Sequence, residues 1–309
     1  MIEIRGLGMQ YGRLTALSDV SFTVPAGEIF GFVGPNGAGK TTTIRILATL
    51  MRPTAGQALI DGIDVSENVF EVRGRIGYMP DFFGVYDRLT AAEYLAFYAS
   101  CYGIPHRRRG AIVSDLLELI GLPDKAGAQV DSLSRGMKQR LCLARALVHD
   151  PKVLLLDEPA SGLDPRARVE MRELLKELKQ MGKTIVISSH ILPELAELCS
   201  SFGIIDHGHL VAAGKLEEIL PRGAGSRLRL SVASDIDVAA RKAQKVIGVE
   251  SVKPVGEGEL EVAYDASAIE PDDLLAKLLA GKVKITAFTP VAENLEDVFM
   301  RVTQVGPPT

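Results

Sequence analysis

The sequence predicts an α/β protein, a largely parallel sheet carrying a helical insertion, followed by a second, smaller α+β domain. Three observations carry this expectation. Short apolar runs at Ile29–Val33, Val153–Leu156 and Thr184–Ser188 lack alternation, as strands buried on both faces do. Residues of about 85–150 repeat apolar side chains at the three-to-four spacing of helices. After a break at Pro221-Arg-Gly-Ala-Gly-Ser226, the pattern reads β-α-β-β-α-β, the ferredoxin-like order. The 309 residues suffice for about two domains at ~100–200 residues each. We place them at residues 1–221 and 226–309.

Each element has its own signal. Alternation at Ile2 and Ile4, and at Val20, Phe22 and Val24, predicts strands separated by a turn within residues 1–24. Ile29–Val33 should end at Gly34, and Thr41–Leu50 should be a helix stopped by Pro53. Helices are expected at Ala91–Tyr102, Ile112–Ile120 and Gly136–Val148, then a strand at Val153–Leu156. Arg166–Gln180 reads as an amphipathic helix, Thr184–Ser188 and Phe202–Asp206 as strands, and Glu217–Leu220 as a short helix. In the second domain, strands are expected at Arg227–Val232, Val249–Val255, Glu259–Tyr264 and Val283–Phe288, with helices at Val238–Val246 and Pro271–Leu279. A closing helix is expected at Asn294–Thr303; its stripe of Leu295, Val298, Phe299 and Val302 reads as packing.

Composition narrows the function classes. Apolar residues make up 47% and charged residues 24%, ordinary values for a globular protein. The net charge of −4 supplies no basic field, so no nucleic-acid partner is expected. The run Arg107-Arg108-Arg109 reads as a solvated turn, with contact to lipid headgroups or an acidic partner as the alternative. Cys101, Cys142 and Cys199 have no paired spacing, which fits a reduced, cytoplasmic setting; Cys142 and Cys199 lie in apolar patterns and should be buried. No stretch reaches the ~18–20 apolar residues of a membrane span, and Met-Ile-Glu-Ile-Arg has no signal-peptide pattern. Any membrane part is expected on another chain.

The chemistry starts at Gly34-Pro35-Asn36-Gly37-Ala38-Gly39-Lys40-Thr41, with Thr42 following. This is G-x-x-x-x-G-K-[ST] between an apolar strand and a helix, the context that identifies a phosphate-binding loop. Its glycines allow close backbone approach, and the helix N-terminus adds a positive end of about +0.5 charge. Lys40 should reach the β- and γ-phosphates, and the Thr41 hydroxyl should bind Mg²⁺. At the end of the second buried strand, Asp157 is the expected Mg²⁺ holder and Glu158 the base that polarises water. Such a base contributes roughly 10²–10⁴-fold in rate.

About a hundred residues after the loop comes Leu133-Ser134-Arg135-Gly136-Met137, then Leu156-Asp157-Glu158-Pro159-Ala160-Ser161-Gly162-Leu163-Asp164. With the phosphate loop, these resemble the ATP-binding cassette (ABC) ATPases over roughly the first 220 residues. The resemblance implies a P-loop NTPase fold of the ABC type with a helical subdomain, ATP hydrolysis with Mg²⁺, and a head-to-tail dimer sandwiching two ATP molecules. It implies that Ser134 and Gly136 form the signature loop that grips the γ-phosphate held by the opposite subunit. Asp164 would belong to the loop linking the two sites. His190 would be the switch histidine on the γ-phosphate, and Tyr11 would stack on adenine, although a lone tyrosine could equally be core. Asp81 stands where the family usually has Gln, next to the metal and the attacking water, and would add a carboxylate there. Arg135 and Met137 also depart from the usual L-S-G-G-Q.

The ending resembles ATPases of drug and polysaccharide exporters. It implies a homodimer or heterodimer of ATP-binding subunits, peripheral on the inner face of the cell membrane, powering a separate transmembrane permease. The rival reading is a soluble ABC ATPase acting on ribosomes or DNA. Against it stand the single cassette, the absence of a long coiled coil and the slightly acidic charge.

Overall fold

A computed structural model of the chain describes residues 1–81, 88–219 and 226–291. The chain divides into two compact units, the first Met1–Leu216 and the second beginning at Glu217. The first unit contains, in order, β1 (Ile2–Tyr11), β2 (Leu14–Val24), β3 (Ile29–Val33), α1 (Lys40–Leu47), β4 (Ala55–Ile60), β5 (Ile63–Asp64), α2 (Val69–Arg75) and β6 (Ile76–Met79). The helical insertion follows as α3 (Ala91–Cys101), α4 (His106–Leu119) and α5 (Arg135–Leu147). Then come β7 (Val153–Asp157), α6 (Pro165–Gln180), β8 (Thr184–Ser189), α7 (Leu192–Ala196), β9 (Ser201–Asp206) and β10 (His209–Gly214), with α8 (Leu216–Ile219) at the junction.

Two sheets build this unit. One is antiparallel, in the order β2-β1-β4-β5. The other has the order β10-β9-β3-β8-β7-β6; β10 runs antiparallel to β9 and the remaining pairs are parallel. Every residue of β3, β7 and β8 is buried, the reason their sequences show unbroken apolar runs. Phe22 of β2 stacks on Phe30 of β3 with centroids 4.8 Å apart, joining the two sheets in one core. The register pairs Val33 with Ser189 and Asp157 with Ser188. The carboxyl ends of β3, β8 and β7 therefore finish at one level of the sheet.

Several elements differ from expectation. α1 ends at Leu47, before Leu50: Thr49 takes φ +60°, its N–H donates to the Ile46 carbonyl (3.0 Å), and the Leu50 N–H donates to the Arg45 carbonyl (2.9 Å). This closing turn stops the helix well before Pro53. α4 starts at His106, so Arg107–Arg109 lie in the first turn of a helix where a loop turn was expected; Arg107 and Arg108 are exposed as expected, and Arg109 Nε donates to the Ile104 carbonyl at 2.7 Å. β4, β5, α2, β6 and β10 were not anticipated. They are seven residues or fewer, too short for a period to show.

The second unit contains β11 (Ser226–Val232), α9 (Ile236–Gln244), β12 (Val249–Gly256), β13 (Glu259–Tyr264), α10 (Pro271–Ala280) and β14 (Ile285–Val291). Its antiparallel sheet has the order β12-β13-β11-β14, the ferredoxin-like arrangement. Leu228, Leu230, Leu260 and Val262 of the central strands pack with Ala239, Ala243, Leu274 and Leu278 of the two helices. The Asp235 carboxylate caps α9 by accepting the Asp237 and Val238 N–H groups. The last strand is two to three residues later than expected. The closing helix expected at 294–303 lies outside the described residues, as do Leu220 and most of the break at 221–226.

Candidate active site

The loop after β3 and the first turn of α1 line an open cleft of about 320 Å³ with Ala16, Asn36, Gly37, Gly39, Lys40, Thr41, Thr42, Asp81, Glu158, Ser161 and His190. Thr43 is the first residue of α1 whose N–H returns to the loop, donating to the Gly39 carbonyl at 2.9 Å. The N–H groups of Lys40, Thr41 and Thr42 therefore remain at the open helix end. Gly39 sits at φ +113°, and a Cβ there would lie 2.6 Å from Leu17 Cδ2, so only glycine fits this turn. Pro35 and buried Ala38 close the loop through the Ala38 N–H on the Pro35 carbonyl (3.2 Å).

Lys40 is buried, and its ammonium donates to the carbonyls of Gly34 (2.7 Å) and Pro35 (3.1 Å). Burial lowers its pKa; the nearby carboxylates of Glu158 and Asp157 work in the opposite direction. Asp157 ends β7 with 1% exposure. It accepts from the hydroxyls of Ser188 (2.6 Å) and Thr41 (3.2 Å). Glu158, the next residue, takes the left-handed conformation at φ +51°, which costs a non-glycine residue about 1–3 kcal/mol. Its N–H donates to the Ser188 hydroxyl at 3.0 Å, and that anchor holds the turn. One carboxylate oxygen lies 2.8 Å from His190 Nδ1 and the other 3.9 Å from Lys40 Nζ. Glu158 thus links Lys40 and His190 among the residues that line the cleft.

The structure brings together Asn36, Gly37, Gly39, Lys40, Thr41, Thr42, Asp81, Asp157, Glu158 and His190. Asp81 lines the cleft, but among the described residues no three His, Cys, Asp or Glu side chains gather to hold a metal. A Mg²⁺ ion fits the Thr41–Asp157 pair, because this ion takes one or two carboxylates and completes its shell with phosphate oxygens and water. Tyr11 stands 43% exposed at the end of β1 with its hydroxyl on Met51 Sδ (3.2 Å); it does not line the cleft. Ser134 caps α5 by accepting the Met137 N–H (3.3 Å), and a Cβ on Gly136 would approach Ala167 Cβ to 3.0 Å. Asp164 caps α6 through the Ala167 N–H (2.9 Å). None of these three lines the cleft of its own chain. Ser188 was missed: sequence reading ended the strand there and gave no sign that its hydroxyl bonds both neighbouring acidic residues.

A nucleotide-binding loop, two acidic residues at a neighbouring strand end and a helical insertion define a phosphate-loop NTPase. A family model described as ABC transporter matches residues 17–161, and one described as ATP-binding protein DrrA1-3-like, C-terminal domain matches residues 214–303. The linearmycin resistance ATP-binding protein LnrL of Bacillus subtilis is 32% identical, covering 98% of both chains. The Nod factor export ATP-binding protein I of Burkholderia orbicola is 37% identical, covering 98% of this chain and 96% of the relative. A solved dimeric cassette, in a post-hydrolysis state bound to ADP and Pi, is 26% identical with a TM-score of 0.63, over 70% of this chain and 99% of that one. The chain belongs to the ABC transporter ATP-binding proteins. It is an ATP-binding subunit of a transporter, and it is an ATPase.

Proposed function

We propose that the chain is the ATP-hydrolysing subunit of an exporter, driving a separate transmembrane permease by ATP-dependent closure of a dimer. The observation that carries this reading is the contact of Glu158 with both Lys40 and His190 in the phosphate cleft. It sets a cation for phosphate, a base for water and a ring for the γ-phosphate within one reach. The export direction is supported by the relatives' names, linearmycin resistance and Nod factor export. We read residues 1–221 as the ATP-binding domain and 226–309 as accessory, the subunit lying peripherally on the inner face of the membrane. No helix among the described residues is long and apolar enough to cross a membrane.

In this reading Gly34–Thr42 cradle the phosphates through backbone N–H groups, and Lys40 leaves its loop carbonyls for the β- and γ-oxygens. Thr41 and Asp157, with Asp81 beside them, would hold Mg²⁺, which when bound would neutralise charge on the phosphate oxygens. Glu158 takes the proton of the attacking water while His190 and Asp81 orient the γ-phosphate side. Tyr11 reaches adenine. Ser134, Gly136 and Asp164 serve the partner subunit's nucleotide, in keeping with their place outside the chain's own cleft. The test is Glu158→Gln. It should lower ATP hydrolysis by roughly 10²–10⁴-fold while keeping ATP affinity, and should accumulate an ATP-bound dimer. Drawn from native membranes in mild detergent, that dimer should bring a polytopic membrane protein in equal amount. Parental hydrolysis would overturn the chemistry. Ribosomal proteins in place of a membrane partner would overturn transport.

A further inference from the structure

Arg135 stands in the signature segment where the family pattern has glycine, and the structure gives its side chain a task within its own chain. It opens α5 immediately after the Ser134 cap. Its Nη2 donates to the Ser161 carbonyl at 3.1 Å. The guanidinium lies over Gly162: a Cβ there would be 2.5 Å from Cζ and Nη2 and 2.8 Å from Nη1. Gly162 is also left-handed, at φ +67°, which favours glycine, and any Cβ there would push the guanidinium off its place. Ser161 passes the restraint on. Its N–H donates to the Glu158 carbonyl at 3.0 Å, and Ser161 lines the cleft beside Glu158. The bonds run from guanidinium to Ser161 carbonyl, from Ser161 N–H to Glu158 carbonyl, and from Glu158 N–H to Ser188. Glu158 needs such holding, because its left-handed backbone persists only where its surroundings impose it.

We propose that Arg135 is a positioning residue for Glu158: it fastens the loop 158–162 to the amino end of α5 and so fixes the aim of the carboxylate. The proposal rests on the reading of Glu158 as the base. A planar fork suits the task, since one guanidinium can bond a carbonyl with its edge and cover a glycine with its face. Any shift of the α5 end that carries Ser134 is then transmitted to the Glu158 turn by one side chain.

The test uses the full chain as parent, Arg135→Ala, Glu158→Gln and the double variant. Single-turnover and steady-state ATPase rates are read beside equilibrium binding of a fluorescent ATP analogue. R135A should lower kcat about tenfold, in line with the sensitivity of catalysis to small misplacement, and leave the analogue's Kd within about twofold. In the E158Q background R135A should cause no further loss, because residues acting through one another are not additive. Parental kcat in R135A with E158Q slowed would overturn this inference alone. A further tenfold loss in the double variant, or a loss of analogue affinity matching that of kcat, would place Arg135 elsewhere and also overturn it. Parental rate in E158Q would instead overturn the reading of the base.

Discussion

Residue by residue, burial decides what each reactive group can do. Lys40 and Asp157 are buried because each is satisfied: the ammonium by two loop carbonyls, the carboxylate by two hydroxyls. The same reasoning sorts the cysteines. Cys142 is buried in α5 and its thiol is pushed up to about 11 by desolvation; burial also raises Cys199. Cys101 is exposed. Brief alkylation of the native protein at pH 8 should therefore modify Cys101 and spare Cys142 and Cys199, all three reacting after denaturation; peptide mass spectrometry reads the outcome. The sequence made the burial of Cys142 legible through the apolar pattern around it, whereas Cys199, expected to be buried as well, is half-buried. The sequence could not make Ser188 legible, because a hydroxyl inside a buried strand acquires its partners from the register of β7 against β8.

Among elements, the helical insertion is held to the sheet by His149, just after α5. Its ring stacks on Tyr102 at the end of α3, centroids 3.8 Å apart, and Nε2 lies 2.8 Å from the Ile76 carbonyl of β6. A carbonyl only accepts, so Nε2 carries the proton; Nδ1 is buried without a hydrogen-bond partner among the described residues. Burial lowers the pKa of His149 below its ordinary 6.5. The unfolded chain then takes up a proton at higher pH than the folded one. The stability from neutral His149 is full above 6.5, falls as pH drops through that value, and levels off below the folded pKa. Urea midpoints of the parent and His149→Gln should differ most at pH 8, the gap narrowing by pH 5; a constant gap would remove His149 as the cause. Elements of this size were legible where repetition is long: α6 was read to within one residue at its start, and the buried strands β3, β7 and β8 from unbroken apolar runs. β6 was not. Four residues cannot display a period, and its pairing with β7 is what makes it a strand.

For the whole molecule, the ferredoxin-like order of the second unit was legible from turn residues and alternation, whereas the strand order of the large sheet was not. Nothing local says that β3 lies between β8 and β9, because those partners are about 150 residues further along the chain. That separation has a consequence for synthesis. On the ribosome, β3 and its loop emerge early, yet β8 is not made until Ser189 and both hydrogen-bonded neighbours exist only once the chain has been made through Asp206. The nascent chain must carry an apolar strand and an incomplete phosphate loop through most of the first unit's translation. Ribosomes stalled with the chain exposed to residue 180 should bind no ATP analogue, and those exposing it past 216 should bind it; capture by the shorter chain would show that the loop forms without its sheet. The same delay makes β3 an expected place for chaperones to hold this protein while it is being born.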